Sequence, residues 1–306
     1  MAFRKAVRQQ MQGRIMLFGA SGAGKTYTAL TIARELAGPN GSVAFIDTEL
    51  RPNPKTGQLQ GSSECYAGLF DFDVSWLDNP SPKTVRSEIR EAHGADVLIV
   101  DSVSHLWEWV LAQVDHKKGM SAWNKPKGEL KLFVKDLLMF PGHVIACARG
   151  VQKYETNEVE QNGRSKKEVT KLGVGQQFDK NFEFEMDIVG RMDEDHTLHV
   201  VKSRYPEISG ETYKRPGPDF ARTIRDWLDN GQSREESSAS EVAAVREMLA
   251  EASTDEDLRR ARARGLAAVN GLGLSEERIN SIRDAVEATR KRINQAAPAA
   301  EEGEAA

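Results

Sequence analysis

The sequence predicts an α/β fold in which a mainly parallel central sheet is flanked by helices, with a small C-terminal helical module. Short apolar runs alternate with helical patterns over the first 230 residues, as in a parallel sheet with helical crossovers. Several of these runs are apolar throughout, which is typical of strands covered on both faces. Beyond residue 240, apolar residues recur only at helical spacing.

The predicted elements follow one another with short gaps. Strands are expected at Ile15–Phe18, Val43–Ile46, Leu69–Val74, Val97–Val100 and Val144–Ala148. Helices are expected at Thr26–Leu36, Pro82–His93, Leu106–Val114 and Leu130–Phe140. A long polar stretch to about Lys180 is interpreted as a loop. An antiparallel pair at the sheet edge and a closing helix are then expected at Phe182–Arg191, Leu198–Ser203 and Ala221–Leu228.

Composition indicates a globular protein of two folded units. The 306 residues are 39% apolar and 29% charged with a net charge of -4, which excludes a wholly disordered or strongly basic protein. We predict an N-terminal arm (1–12), the α/β domain (13–230), a linker rich in Ser and charged residues (231–239), a helical module (240–295) and a disordered acidic tail (296–306).

Membrane insertion, a disulfide framework and a structural zinc site are not indicated. No apolar stretch approaches the roughly 20 residues that cross a bilayer, and no apolar segment follows the basic N-terminus. Cys65 and Cys147 have no CxxC neighbour, and the histidines lack zinc-ligand spacing. We therefore expect a soluble, cytoplasmic protein with no membrane partner.

The strongest motif is a phosphate-binding loop between the first predicted strand and helix. Residues 19–26 read GASGAGKT and match GxxxxGK[ST] without substitution. Glycines let backbone N–H groups curl around a phosphate at the helix N-terminus, Lys25 adds a positive charge, and Thr26 offers a hydroxyl to Mg²⁺. The alternative is an ordinary glycine-rich turn. The residues predicted to bind ATP are Gly19, Ala20, Ser21, Gly22, Ala23, Gly24, Lys25, Thr26 and Tyr27.

Two acidic residues at strand ends are candidates for the chemistry beside this loop. Asp101 should end a strand adjacent to the phosphate loop and hold the magnesium shell together with Thr26; a helix cap is the alternative. Residue 102 is serine, where ATPases with consecutive Asp-Glu carry their general base, so the base must lie elsewhere. Glu49 is the candidate, because the carboxyl ends of parallel strands share one crevice and a carboxylate there can deprotonate water. A solvated loop glutamate is the alternative. Asp47 is expected to be structural, bonding to loop N–H groups, with a magnesium role as its alternative.

These motifs resemble those of the RecA-like recombinases over roughly residues 13–228. The AFIDTE segment, followed by Arg51 and Pro52, resembles the strand that carries the catalytic glutamate in that family. The LIVDSV segment resembles its magnesium strand. The resemblance implies a RecA-like P-loop NTPase fold and Mg-dependent ATP hydrolysis.

The resemblance also assigns candidate roles to three basic residues. Ala148 and Arg149 stand where that family has an Asn-Gln pair, which is a departure from its pattern, and Arg149 is a candidate sensor of the γ-phosphate. The VVKSR segment resembles the paired basic residues that reach the ATP of a neighbouring subunit, which implies that Lys202 and Arg204 act across a homo-oligomeric interface. Two residues apart on a strand, both side chains point to one face. A solvated edge-strand pair is the alternative.

Within this family, the compact size and the DSVSHLWEW segment look most like phage-encoded RecA-like ATPases of recombination and single-strand annealing. This implies a bacterial or phage-infected cytoplasm and two DNA-facing loops, residues 116–131 and 150–180. Both contain cations and an aromatic residue, a combination used for single-stranded DNA, although a merely solvated loop is the alternative for the second.

Three functions follow, in order of preference. The first is an ATP hydrolase acting on single-stranded DNA in recombination or replication. The second is a nucleotide-dependent switch or loader that recruits a recombination or replication protein through the helical module with little turnover. The third, a small-molecule kinase, is disfavoured because no Arg-rich lid is recognisable and Glu49 fits water activation better.

Overall fold

Residues 8–114, 116–161 and 164–296 are described by a computed structural model. They divide into two units by their internal contacts. The larger unit is Gln12–Leu228, and residues 8–11 together with 229–296 belong to the smaller one.

The strands in chain order are β1 (Arg14–Gly19), β2 (Val43–Asp47), β3 (Leu50–Pro52), β4 (Leu59–Gly61), β5 (Asp73–Trp76), β6 (Val97–Asp101), β7 (His143–Gln161), β8 (Arg164–Gln176), β9 (Ile188–Met192), β10 (Thr197–Ser203) and β11 (Thr212–Lys214). The helices are α1 (Lys25–Ala37), α2 (Pro82–Glu91), α3 (Ser104–Gln113), α4 (Asn124–Leu138), α5 (Phe182–Glu185), α6 (Pro218–Asp229), α7 (Arg234–Glu251), α8 (Asp255–Leu272) and α9 (Glu276–Ala296).

The main sheet is mainly parallel. Within the described residues it has the order β11-β10-β9-β1-β7-β6-β2-β5, with β8 paired to β7. The strands from β9 to β5 along this order are parallel, whereas β10 and β11 are antiparallel additions at one edge. The prediction of a mainly parallel sheet with helices is therefore confirmed.

Alternating side chains of the strands divide the core into two layers. Ile15 and Leu17 face a cluster that includes apolar residues of α1 and α6, while Met16 and Phe18 face a cluster built with α2, α3 and α4. Side chains alternate between faces along a strand, so β1 is covered on both sides. This explains why its sequence is apolar throughout.

Two predicted strand boundaries are wrong. The run Leu69–Val74 contributes only its last residues to β5, because Leu69 lies in the preceding turn and is largely exposed. The run Phe182–Arg191 begins as the single-turn helix α5, and β9 starts only at Ile188. Both runs are apolar enough to suggest a strand, but only part of each is paired in the sheet.

The polar stretch after Arg149 is a β-hairpin and not the expected loop. β7 continues to Gln161 and pairs antiparallel with β8, with a register shift between Lys153 and Tyr154. The sequence of this stretch is rich in Glu, Lys and Asn and lacks apolar alternation. The pattern that identifies half-buried strands is therefore missing.

The smaller unit is a bundle of α7, α8 and α9 around buried apolar residues such as Val245, Leu249 and Ala261. The predicted linker at 231–239 is wrong for most of its length, because α7 begins at Arg234. The Ser233 hydroxyl accepts from the Glu236 N–H, and the Glu236 carboxylate accepts from the Ser233 N–H. This reciprocal capping box starts the helix.

The ends of the chain were also assigned in the sequence analysis. Residues 1–7 of the predicted N-terminal arm and residues 297–306 of the predicted tail lie outside the described residues. None of the helices in the described part of the chain is both long and apolar enough for a bilayer crossing.

Candidate nucleotide-binding site

A cleft of about 2010 Å³ opens at the carboxyl edge of the parallel strands. Its lining includes most of the phosphate loop, with Lys25 and Thr26, and the predicted site residues Glu49, Asp101 and Arg149. Backbone register explains this convergence, because Asp47, Asp101 and Cys147 are aligned on adjacent strands. The fold thus brings together residues that are far apart in the sequence.

The phosphate loop is closed by glycines in left-handed conformations. Gly22 and Gly24 have φ of 78° and 90°, and Gly24 is the N-cap of α1. Lys25, whose exposure is only 9%, donates from Nζ to the carbonyls of Gly19 and Ala20 at 3.1 and 2.9 Å. The cation is therefore held over the loop at the helix N-terminus, where a phosphate is favoured.

A contact between Thr26 and Asp101 joins the phosphate loop to the end of β6. Thr26 Oγ1 donates to Asp101 Oδ2 at 2.6 Å. The strand that ends at Asp101 is therefore adjacent to the phosphate loop, as expected, although β7 lies between β1 and β6 in the sheet. Helix α1, which follows the loop, contacts β6 and so carries Thr26 to Asp101 despite the intervening strand.

Burial raises the pKa of the Asp101 carboxyl group. Its exposure is 2%, and this burial raises its pKa to about 6. The Thr26 hydrogen bond opposes the rise, and the nearby Glu49 carboxylate adds to it. A hydroxyl and a carboxylate are the hard oxygen donors that Mg²⁺ prefers, so this pair fits the implied ion.

Asp47 organises the segment that carries Glu49. It is fully buried, and its two carboxylate oxygens accept from the backbone N–H groups of Glu49 and Ser63, both at 2.8 Å. These contacts match the structural role expected for Asp47. They fix the backbone at Glu49 while its side chain remains in the cleft.

Arg149 links three elements around the cleft. Its Nε donates to Glu49 Oε1 at 3.2 Å and its Nη1 to Glu108 Oε1 at 3.3 Å. Its Nη2 lies 2.6 Å from His105 Nε2, and its backbone N–H donates to Ser104 Oγ at 2.9 Å. Glu49 and Arg149 thus lie in direct contact, which the sequence analysis did not predict.

His196 and Arg215 also line the cleft, and the sequence analysis missed both. They have positive φ of 64° and 49°, and the Arg215 N–H donates to the His196 carbonyl at 2.9 Å. A Cβ on Gly24 would lie 3.1 Å from His196 Nδ1, so the imidazole lies against the loop. Residues with such unusual backbone angles cluster at functional sites, but no sequence pattern predicts them.

Lys202 and Arg204 lie away from this cleft. Ser203 pairs with Ile188 and Ile188 with Ile15, so the end of β10 lies at the amino edge of the parallel strands. Lys202 Nζ donates to the carbonyls of residues 183, 184 and 186 at 2.6–3.0 Å, and Arg204 pairs with Asp187. Their action on a neighbouring subunit's nucleotide stays a prediction.

The first segment predicted to face DNA is helical and not a loop. It forms 3-10 turns over His116–Trp123, interrupted at Gly119, and continues into α4. Lys127 Nζ lies 5.4 Å from the centre of the Trp123 ring and 3.8 Å from Asp179 Oδ2. In the second segment, side chains of residues 153–173 lie outside the described part of the structure.

A family model described as an AAA domain, AAA_24, matches residues 11–215. The chain belongs to this AAA domain family. It is a P-loop ATPase domain with the mainly parallel α/β fold described above, and nucleotide binding is implied by the family. Residue 102 is serine, so this AAA domain has no acidic residue directly after Asp101.

Among solved structures, the AAA domain chain is similar to a KaiC-like protein from the hyperthermophilic archaeon Pyrococcus horikoshii. The match has 16% identity and a TM-score of 0.38, and it covers 66% of this chain and 84% of the other. No curated protein matches the sequence.

Proposed function

We propose that this AAA domain binds MgATP in the cleft and hydrolyses it, with single-stranded DNA as the activating polymer in recombination or replication. The observation that carries the nucleotide part is the 2.6 Å hydrogen bond between Thr26 and Asp101. It joins the phosphate loop to a buried carboxylate at the place where a P-loop ATPase needs both.

The predicted site residues of the cleft have separate roles in this proposal. Lys25 and the loop N–H groups hold the phosphates, and Thr26 with Asp101 would hold magnesium, which neutralises phosphate charge when bound. Glu49 orients a water molecule and accepts its proton. Asp47 supports this role by holding the Glu49 backbone through a 2.8 Å hydrogen bond.

Arg149 is proposed to respond to the γ-phosphate. Its side chain is 42% exposed and borders the cleft, so the guanidinium can reach an anion that enters it. A phosphate competes with Glu49 for the same N–H donors, because arginine pairs with either anion. Nucleotide binding would then release Glu49 toward water.

The DNA part of the proposal rests on the family resemblance and on the composition of α4. Lys125, Lys127 and Lys131 lie on this helix next to Trp123. Cations and an aromatic ring are the groups that bind single strands without sequence preference. The small net charge of -4 offers no general attraction for DNA, so any binding must come from such local groups.

The contact between Glu49 and Arg149 favours one alternative, a nucleotide-dependent switch that recruits a protein through the smaller unit. A candidate base that is paired with a guanidinium at 3.2 Å is not free to accept a proton. If the pair persists with ATP bound, turnover would be negligible and the bound nucleotide would act as a signal.

The test is steady-state ATP hydrolysis with and without single-stranded DNA at two salt concentrations. The parent protein, Lys25→Ala and Glu49→Gln are compared with Lys83→Ala, a control on the exposed face of α2. The proposal predicts DNA-stimulated turnover that weakens at higher salt and is lost in the first two variants only. Nucleotide binding without turnover or DNA effect would support the switch instead.

A further inference from the structure

His105 lies between Thr48 and Arg149 and contacts both with its ring nitrogens. Nδ1 is 2.8 Å from Thr48 Oγ1, and Nε2 is 2.6 Å from Arg149 Nη2. His105 is on the first turn of α3, Thr48 follows β2, and Arg149 is on β7. One imidazole therefore bridges three elements that converge on the cleft.

The hydrogen bonds of Thr48 determine which ring nitrogen carries the proton. The hydroxyl donates its only hydrogen to the Ser102 carbonyl at 3.0 Å and accepts from the Ser102 N–H at 2.8 Å. It can then only accept from His105, so Nδ1 carries the hydrogen. Nε2 is left as an acceptor, and arginine offers only donors.

We infer that His105 is a positioning residue that holds the Arg149 guanidinium beside Glu49 through Nε2, with Thr48 selecting the required tautomer. This inference rests on the proposed function, because it assumes that Arg149 and Glu49 take part in ATP hydrolysis. It adds that the chemistry of the site depends on a neutral imidazole that acts through Arg149.

The surroundings of His105 support a neutral ring. Its pKa is lowered, first by burial and then by the positive charge of Arg149. The carboxylates of Glu108, Glu49 and Asp47 act in the opposite direction, but do not outweigh these two effects. A protonated ring would turn an N–H toward the guanidinium and break the contact at Nε2.

Two substitutions of His105 each keep one of its two contacts, either the one to Arg149 or the one to Thr48. In His105→Gln, the amide oxygen can take the place of Nε2 and still accept from Arg149. In His105→Asn, the amide NH₂ can take the place of Nδ1 and still donate to Thr48, but Arg149 loses its acceptor. We expect kcat for DNA-stimulated ATP hydrolysis to fall about tenfold in His105→Asn and to be largely kept in His105→Gln.

The pH profile adds a readout that a packing role would not change. Turnover of the parent should fall as the pH drops through the pKa of His105, and this component should be missing in His105→Gln. Equal losses in the two variants, or no loss in either, would overturn the inference.

Nitrogen NMR of the full-length, nucleotide-free protein keeps the inference separate from the proposed function. At neutral pH, we expect the His105 ring to carry hydrogen on Nδ1 and none on Nε2. Thr48→Val, which removes the hydroxyl, should lose this single-tautomer signal. A ring protonated on Nε2 would contradict the inference even if ATP is hydrolysed, whereas the expected tautomer in a protein without turnover would contradict only the proposed function.

Discussion

Thr26 Oγ1 donates to Asp101 Oδ2 at 2.6 Å, although the strands that lead to these residues are separated by β7. The hydroxyl belongs to the first turn of α1, which contacts β6, and the carboxylate ends β6 itself. The contact therefore depends on the direction of the helix and not on strand adjacency. It places a buried carboxylate next to the phosphate loop at a cost in stability.

That cost predicts an unusual pH dependence for the protein without metal or nucleotide. The pKa of Asp101 is about 6 when folded and near 3.8 when unfolded, so the native state binds this proton more tightly. Its contribution to stability is then present below about pH 4 and is lost as the pH rises through 6. Asp101→Asn cannot ionise and lacks this loss, so its stability relative to the parent in urea unfolding should rise by about 2 kcal/mol between pH 4.5 and pH 7.5.

Asp73→Asn is a matched control for this comparison, because Asp73 lies exposed on β5. It shows what removal of an exposed carboxylate does to stability at the two pH values, and Asp101→Asn should differ from it. A constant difference between Asp101→Asn and the parent at both pH values would show that burial of Asp101 is not costly.

Gly24 should not tolerate a side chain. Its φ of 90° is unfavourable for other residues, and a Cβ would lie 3.1 Å from His196 Nδ1. We expect Gly24→Ala to lower stability by about 1–2 kcal/mol and to weaken ATP binding, because the loop must shift. Gly94→Ala is the control, since nothing lies within 4 Å of its Cβ position. Thermal unfolding and titration with a fluorescent nucleotide would measure the two effects, and equal behaviour of the two variants would contradict the account.

Lys202 should contribute to the stability of the single chain. Its Nζ donates to three carbonyls around the end of α5, and Lys202→Ala leaves them without this partner. We expect a loss of roughly 1–3 kcal/mol in denaturant unfolding of the nucleotide-free protein, compared with little change in Lys214→Ala on the edge strand β11. Unchanged stability combined with lost turnover would instead support the predicted role of Lys202 at a subunit interface.

Ser233 should stabilise the smaller unit through the start of α7. Removing its hydroxyl leaves the Glu236 N–H without the cap, at a cost of about 1 kcal/mol. Ser240→Ala, inside the same helix and exposed, should be neutral or slightly stabilising because alanine favours helix. Thermal melting followed by circular dichroism would compare the variants, and matching melting curves would show that the helix does not need the cap.

The parts of the site that were predictable are those encoded in short, contiguous segments. The loop from Gly19 to Thr26 carries its own strand, turn and helix signals, and Asp101 ends a run that is unmistakably buried. The order of parallel strands is not encoded locally, so the insertion of β7 next to β1 was missed. The contact between Glu49 and Arg149 follows from that order, and the sequence gives no sign of it.

The missed elements have a common physical cause. The sequences of the β7–β8 hairpin and of the first turns of α7 lack the apolar periodicity used for prediction. Of these two, only the start of α7 has a recognisable sequence pattern, because Ser233 and Glu236 have the spacing of a capping box. His196 lies in the turn after β9, and Arg215 follows β11. The order of the strands in the sheet brings both residues to the cleft, so no local sequence pattern could place them there.

The most direct test of the account is a paired measurement of ATP affinity and ATP turnover for Glu49→Gln. Glutamine keeps an oxygen that can accept from Arg149, so the site should retain its shape and its ATP affinity. It cannot accept a proton from water, so kcat should fall by about 100-fold or more. Turnover at the parent rate with normal ATP affinity would contradict the assignment of Glu49 as the base and the catalytic account built on it.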